Sequence, residues 1–370
     1  MIDIPFLKST FSCFCILVFM FFTSVNVGSA QESQKDSIER KNFLGGYPLV
    51  FYTPETRWGF GAACIYNHFP GKRKSKRPSQ WQLGGAYTLN KQLLSFAFFN
   101  IFLENDKHNI FGEIGYYDYF YQYFGIGSST FFANEEIYAA NFPRLQINYL
   151  HRLKSKIFVG GYYHFDYYNI SEIPADGLLD NSNVIGRDGS TISRPGLLLR
   201  YDSRDQIYYP TRGSFATIDF AFNTEALGAT SNYQALSFDM SHYLSFKKQV
   251  LALNIWTAKQ FGDVPFQNLL LLGGSSQGRG IIKGRYREKT IALMQGEYRF
   301  PIWKRFLGAA FLSYGNVGSS YEDIFSESWK LNYGAGLRFV LDKENKTNLR
   351  ADLAFGSDEI AIYVTVNEAF

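Results

Sequence analysis

After residue 30 the chain has no apolar run of the roughly 20 residues that a membrane-spanning helix needs, which excludes a helical membrane protein. Cysteine is scarce. Cys13 and Cys15 lie in the first thirty residues, and Cys64 alone can form neither an internal disulfide nor a multi-thiolate metal site. An excess of one charge is missing too. Lys and Arg total 37 against 33 Asp and Glu, a net charge of +4 at pH 7. A nucleic-acid binder would gather its basic residues on one face, and this balance argues against one. The five histidines, His68, His108, His151, His164 and His242, form no H-x-H or H-x-x-x-H pair, so no metal site and no cofactor is expected. Disorder is excluded by a hydrophobic content of 46%. What the chain has in quantity is aromatic residues, 36 Phe, 26 Tyr and 5 Trp, together with 33 Gly. That composition describes one large β-rich domain.

Residues 1–30 have the form of a secretory signal peptide, with Lys8 as a small basic region, an apolar core over 11–22 and the small-residue site Val27-Gly28-Ser29-Ala30. The core is too short to span a bilayer. The exported chain is expected to begin with a polar, charged stretch at 31–41. Residues 31–57 then serve as a short periplasmic leader and barrel entry, with the barrel itself over 58–370.

Alternation of period two organises the remainder. Over 347–355 one face carries Leu349, Ala351, Leu353 and Phe355, and the other Asn348, Arg350, Asp352 and Ala354. Over 330–341 the apolar face is Leu331, Tyr333, Ala335, Leu337, Phe339 and Leu341, opposite Asn332, Gly334, Gly336, Arg338 and Val340. In the last strand Ile360, Ile362, Val364, Val366 and Phe370 share a face interrupted by Glu368. Strands of a soluble sandwich alternate over only about 5–6 residues. Longer strands with aromatic ends fit a transmembrane barrel, with lipid outside and a polar lumen. Only helices and closed barrels satisfy every backbone group in lipid. Sixteen strands are predicted near 58–68, 80–89, 92–103, 108–118, 124–133, 138–151, 156–168, 192–203, 213–224, 231–245, 249–261, 290–302, 306–317, 329–341, 346–356 and 360–370. The fold class is all-β, a transmembrane antiparallel barrel. Long connections at 69–79, 169–191, 262–289 and 318–328 are assigned to the outside, and short ones to the periplasm, as is 204–212.

Three stretches then resemble the BamA/TamA family of outer-membrane proteins, the superfamily of outer-membrane assembly and two-partner secretion. Tyr201-Asp202-Ser203-Arg204-Asp205 followed by Pro210-Thr211-Arg212-Gly213 is similar to the family's D-x-R-D…P-x-x-G strand–turn–strand. Leu272-Gly273-Gly274…Gly278-Arg279-Gly280-Ile281, leading to Gly284-Arg285-Tyr286, resembles the long extracellular loop that folds back into the lumen. Gln295-Gly296-Glu297-Tyr298-Arg299-Phe300-Pro301 is similar to the strand after that loop, and Phe370 fits the terminal signal for barrel insertion. The loop tip departs from the family pattern, lacking an aliphatic residue before Arg279 and an aromatic one after Gly280, where Ile281 stands. Ser313, in Phe311-Leu312-Ser313-Tyr314-Gly315, occupies the place of an expected aspartate. Alternation puts Glu297 on the polar face, and a lumenal clamp between Arg279 and Glu297 is expected, because a guanidinium in a poorly hydrated interior needs a carboxylate; the alternative is an Arg279 solvated in a flexible loop.

The resemblance also implies a role in inserting or translocating proteins at the outer membrane of a Gram-negative bacterium. Family members with that activity carry POTRA domains ahead of the barrel, and 31–57 is too short for one. A separate periplasmic partner, POTRA-bearing or a chaperone, is therefore expected, with unfolded or secreted proteins as cargo and a seam between the first and last strands as the route. The alternative is a passive or gated pore plugged by 262–289. A weaker alternative is a lipid-modifying enzyme using Ser276, since Gly274-Ser275-Ser276-Gln277-Gly278 formally matches G-x-S-x-G. That motif needs a strand–turn–helix context, so no enzymatic activity is expected.

Three further features have a bland and a sharp reading. Lys72-Arg73-Lys74-Ser75-Lys76-Arg77 is either a solvated loop or, in the first extracellular loop, a contact for the anionic groups of lipopolysaccharide. Asp176, Asp180 and Asp188 lack the spacing of a calcium loop and read as solvent-exposed. The aromatic clusters at 116–124 and 162–168 read as interfacial girdles against outer-membrane lipid.

Overall fold

The computed structural model describes residues 42–68, 79–104, 106–342, 347–356 and 360–370. The signal peptide and the basic run at 72–77 lie outside the described residues. The strands are β1 (Phe43–Thr53), β2 (Arg57–His68), β3 (Ser79–Thr88), β4 (Leu93–Leu103), β5 (His108–Tyr123), β6 (Glu136–Lys154), β7 (Ile157–Glu172), β8 (Ser190–Asp202), β9 (Gly213–Asn223), β10 (Tyr233–Phe246), β11 (Gln249–Gly262), β12 (Leu270–Leu272), β13 (Tyr286–Glu288), β14 (Thr290–Trp303), β15 (Phe306–Gly318), β16 (Lys330–Asp342), β17 (Thr347–Phe355) and β18 (Ile360–Val366). All but β12 and β13 close one antiparallel barrel, a sixteen-stranded wall. The short pair β12 and β13 forms its own hairpin sheet inside the long segment between β11 and β14. Among the described residues one α-helix, α1 (Tyr321–Ser326), stands between β15 and β16 and is capped reciprocally by Ser320 and Asp323.

Alternation divides each strand between two environments. Leu331, Tyr333 and Leu337 of β16 are more than half exposed on the outer wall, while Asn332 and Arg338 are buried in the lumen. On β17 the buried residues are Asn348, Arg350, Asp352 and Ala354. In lipid the outer apolar side chains meet acyl chains, and the backbone is satisfied by its neighbours on either side.

The number sixteen conceals two compensating differences from the expected strands. The stretch read as a leader contains β1, whose Gly45, Gly46 and Pro48 disturb the alternation without preventing pairing from Phe43 to Thr53 with β2. The expected strand 124–133 does not form. Gly125 and Gly127 take φ of +101° and +114°, and the chain folds inward as a loop. The loss and the gain cancel, so strands from β6 onward run in the expected direction and those before it run opposite. His68 and Ser79, which flank the basic run, therefore lie at the rim that also holds Phe43 and Val366, not at the rim of the long loops. The aromatic clusters divide as well: Tyr116 and Tyr167 face outward, but Tyr123, Phe124, Tyr162 and Tyr168 are buried inside.

The inward aromatics fill the upper lumen. Tyr123, Tyr138, Phe142 and Tyr168 surround Val264 and Phe266 from the long segment. Phe266 meets the rings of Tyr123 and Tyr138 edge-on at 5.6 and 5.2 Å between centroids. Burying side chains of this size contributes about 1.5–3 kcal/mol each, enough together to hold the segment in place. A second cluster joins Leu272, Ile281 and Tyr286 of the segment to Ile291, Leu293 and Val317 on the wall.

The barrel is least continuous between its first and last strands. Tyr52 opposite Val364 is the only registered pair of β1 and β18 among the described residues. Every other neighbouring pair of wall strands has at least seven, as in β17 with β18 and β8 with β9.

Candidate functional site

Inside the barrel, the segment 263–289 descends to a tip at Arg279. Gly280 takes φ of +104°, and a Cβ there would meet the Phe355 carbonyl carbon at 2.9 Å and the Gly356 nitrogen at 3.0 Å. The tip thus lies directly on the backbone at the end of β17, and glycine is required for both conformation and approach. The Gly278 N–H donates to Gln295 Oε1 and the Gly280 N–H to the Tyr363 hydroxyl, each at 3.3 Å. Ile281 is buried beside Leu272.

The Arg279 guanidinium is 2% exposed. It reaches Glu297 Oε2 with Nη2 at 2.7 Å and Asp352 Oδ2 with Nη1 at 2.6 Å. Its planar head lies 3.5 Å from the centroid of the Phe311 ring, a cation–π contact in a water-poor setting. Ser313, expected beside this arginine, instead accepts a 3.4 Å bond from Asn332 Nδ2. The second carboxylate comes from Asp352 on β17. Antiparallel register brings Asp352 round the wall to the tip, whereas Ser313 has no charge to offer.

The clamp belongs to a larger network. Arg338 donates to Glu297 Oε2 at 3.1 Å, to Asp352 Oδ1 at 2.5 Å and to Glu368 Oε2 at 3.0 Å. Arg299 donates through Nε to Glu297 Oε1 at 2.7 Å. Arg350 stands 3.5 Å from Asp352 and donates to the Ser275 carbonyl of the segment at 2.9 Å. Four arginines therefore share three carboxylates. Such a network tolerates burial because every charge except Arg350 faces at least two opposite ones, and Arg350 adds the Ser275 carbonyl and the Thr365 hydroxyl to Asp352.

Glu368 is a correction to the alternation argument. The strand stops at Val366, and Asn367 takes φ of +69°, which turns the following residues into the lumen. Glu368 then accepts from Asn348 Nδ2 at 2.8 Å as well as from Arg338. Phe370 follows it inward, packing near Tyr243, Val250 and Ala252, and its main-chain oxygen accepts from Arg299 Nη2 at 3.1 Å. Neither residue continues the outer face of β18.

The turn motif forms a compact unit at the same rim. Arg204 forks onto Asp202 with two bonds of 3.0 Å and covers the Phe215 ring at 4.1 Å. Asp205 receives the N–H groups of Thr211 and Arg212 at 2.8 and 3.2 Å. Burial pushes the Asp205 carboxyl up, but the Thr211 hydroxyl and these N–H donors outweigh it and hold it below the usual aspartate value. Pro210 is buried, and Gly213 takes the φ of +99° that starts β9.

Other candidates separate. Ser276 is exposed on the segment, between β12 and β13 and not between a strand and a helix. Among the described residues no three His, Cys, Asp or Glu side chains gather as metal ligands. Asp176 and Asp188 are exposed in the loop after β7, Asp188 pairs with Arg187, and Asp180 accepts the Asp176 N–H at 3.1 Å.

The sixteen-stranded barrel has known counterparts. Residues 78–358 match the Omp85 superfamily domain. The chain belongs to the Omp85 superfamily. None of the curated proteins compared matches it. Among solved structures, BamA from Haemophilus ducreyi lacking POTRA domains 1–3 is similar at 13% identity and a TM-score of 0.63, over 88% of this chain and 70% of that one. CdiB from Escherichia coli is similar at 12% identity and a TM-score of 0.59, over 88% and 62%. CdiB from Acinetobacter baumannii gives 13% and 0.54, over 88% and 59%. At these identities the likeness is one of fold, and the chain spans 59–70% of those proteins' lengths. As an Omp85-superfamily barrel it resides in the outer membrane of a Gram-negative bacterium.

Proposed function

We propose that this Omp85-superfamily barrel assists the insertion or translocation of proteins at the outer membrane, with unfolded or secreted chains as cargo and a separate periplasmic partner, POTRA-bearing or a chaperone, for delivery. The observation that carries the reading is the thin seam. A strand edge offers unpaired N–H and C=O groups to an incoming strand, and below Tyr52 β1 has no registered partner on β18. The seam also has local causes. Carried on in register, β18 would set Glu368 opposite Pro48, which has no N–H to donate. Instead Arg338 and Asn348 hold Glu368 inside the lumen.

The test locks the seam. In a Cys64→Ser background, Tyr52→Cys with Val364→Cys is oxidised across β1 and β18, and the outer-membrane and cell-surface proteome is quantified with and without reductant. Selective loss of other barrels or surface proteins only in the locked state supports the reading and identifies the cargo. An unchanged proteome in both the locked strain and a deletion strain refutes it.

A passive or gated pore plugged by 262–289 is the second reading, favoured by the aromatic packing around Phe266 that fills the upper lumen.

A further inference from the structure

The histidines are scattered in sequence, yet pairing of β5 with β6 sets His108 directly opposite His151. Both lie on the outer wall at the rim near Phe43, on the face that carries the exposed Tyr149 and Leu153, while Asn109 and Leu150, the next pair along the strands, are buried inside. Their Nδ1 atoms are 3.4 Å apart. This is within reach of a long hydrogen bond between the two rings. It matches the spacing of about 3.3 Å between two nitrogens each roughly 2.0–2.1 Å from a tetrahedral ion.

The other nitrogen of His108, Nε2, stands 3.3 Å from Glu104 Oε2. A carboxylate there favours the tautomer with its proton on Nε2 and leaves Nδ1 as the lone-pair nitrogen, the arrangement that orients imidazole for metal binding. The Tyr149 hydroxyl, 2.7 Å from the same Nδ1, adds an oxygen at the edge of the site.

We propose that His108 and His151 form a surface site for one divalent late transition-metal ion, Zn²⁺ or Cu²⁺. The two imidazoles are the ligands, Glu104 positions His108, and water completes the coordination sphere. Imidazole nitrogen selects these ions over Mg²⁺ and Ca²⁺, which require oxygen. With two protein ligands the site is open and exchangeable, and a bound ion clips the ends of β5 and β6 together.

The test uses the full chain without a histidine tag, refolded in detergent micelles, with the fold of each variant verified by heat-modifiable migration. Zn²⁺ titration by calorimetry is expected to give one equivalent at micromolar affinity. His108→Ala and His151→Ala are each expected to weaken it about tenfold or more, while Tyr149→Phe retains it. Cu²⁺ added to the parent is expected to show an electron paramagnetic resonance spectrum with coupling to two imidazole nitrogens, reduced to one in either single variant. A His108→Ala/His151→Ala double variant that binds as the parent does overturns the proposal. So does a parent that binds neither ion.

Discussion

Arg279 and Asp352 are 73 residues apart in the chain and meet at 2.6 Å in the lumen. The pair joins the tip of the inward segment to the far wall strand β17, and Glu297 on β14 holds the same guanidinium from the other side. Removing either acid leaves a buried cation short of a partner. Breaking a buried pair in this way costs about 3–5 kcal/mol. Asp352→Asn and Arg279→Ala are expected to lower the unfolding temperature and expose 263–289 to protease. Because they share one interaction, the double variant is expected to be far less damaged than the sum of the two, by a coupling of about 0.5–3 kcal/mol. Strict additivity would show that the pair is energetically idle.

Charge reversal distinguishes a pair from a network. Glu297 serves Arg279, Arg299 and Arg338 together. Arg279→Glu combined with Glu297→Arg would restore an isolated pair, but here it sets a new cation against Arg299 and Arg338. The double variant is expected to refold no better than Glu297→Arg alone. Recovery to parental heat-modifiable migration would show that only the pair matters.

Gly280→Ala tests the docking of the tip by shape alone. The residue would be strained at φ of +104° and would press on the end of β17. Strain of this kind costs about 1–3 kcal/mol. The segment is expected to become cleavable by protease in a barrel that still folds. Protection equal to the parent would refute the close docking.

Acid sensitivity is expected where two loops meet above the lumen. Glu327, after α1, accepts hydrogen bonds from the hydroxyls of Ser128 and Ser129, the latter at 2.6 Å. These bonds, Ser128 first, hold its carboxyl below the ordinary glutamate value of 4.5. A lowered folded pKa means that the contribution is complete above 4.5 and is lost as pH falls through the folded value. Limited proteolysis of the 124–135 loop is expected to accelerate only in that acidic window, and in Glu327→Gln to be fast at neutral pH. A pH-independent rate in the parent would exclude the tether.

Replacing 263–289 by a short turn tests the plug. The segment fills the upper lumen through Phe266 and the lower through Arg279. Single-channel conductance in a planar bilayer is expected to rise sharply on its removal. Unchanged conductance would mean that the lumen is closed by something else.

Much of this molecule is visible in two-residue alternation. Asn348, Arg350 and Asp352 stand on one face of their strand in the sequence, and the same residues face the lumen. Glu297 and Arg299 likewise lie opposite Met294 and Tyr298. The expectation failed where local chemistry opposed the pattern. Gly45, Gly46 and Pro48 disguised β1, and the separate strand expected at 124–133 does not form because Gly125 and Gly127 turn the chain inward. Glu368 looked like a flaw on an apolar face until Asn367 rotated it into the lumen.

The sequence by itself determined which residues face lipid and which face the interior, because a strand offers only those two sides. It also determined that a glycine-flanked arginine lies in a long insertion between strands. Only the tertiary structure decided which charges meet. Asp352 and not Ser313 completes the clamp, Glu368 joins Arg338, and His108 comes to face His151. These partners depend on register and on closure of the barrel, which bring together side chains tens of residues apart, and no local pattern encodes those distances.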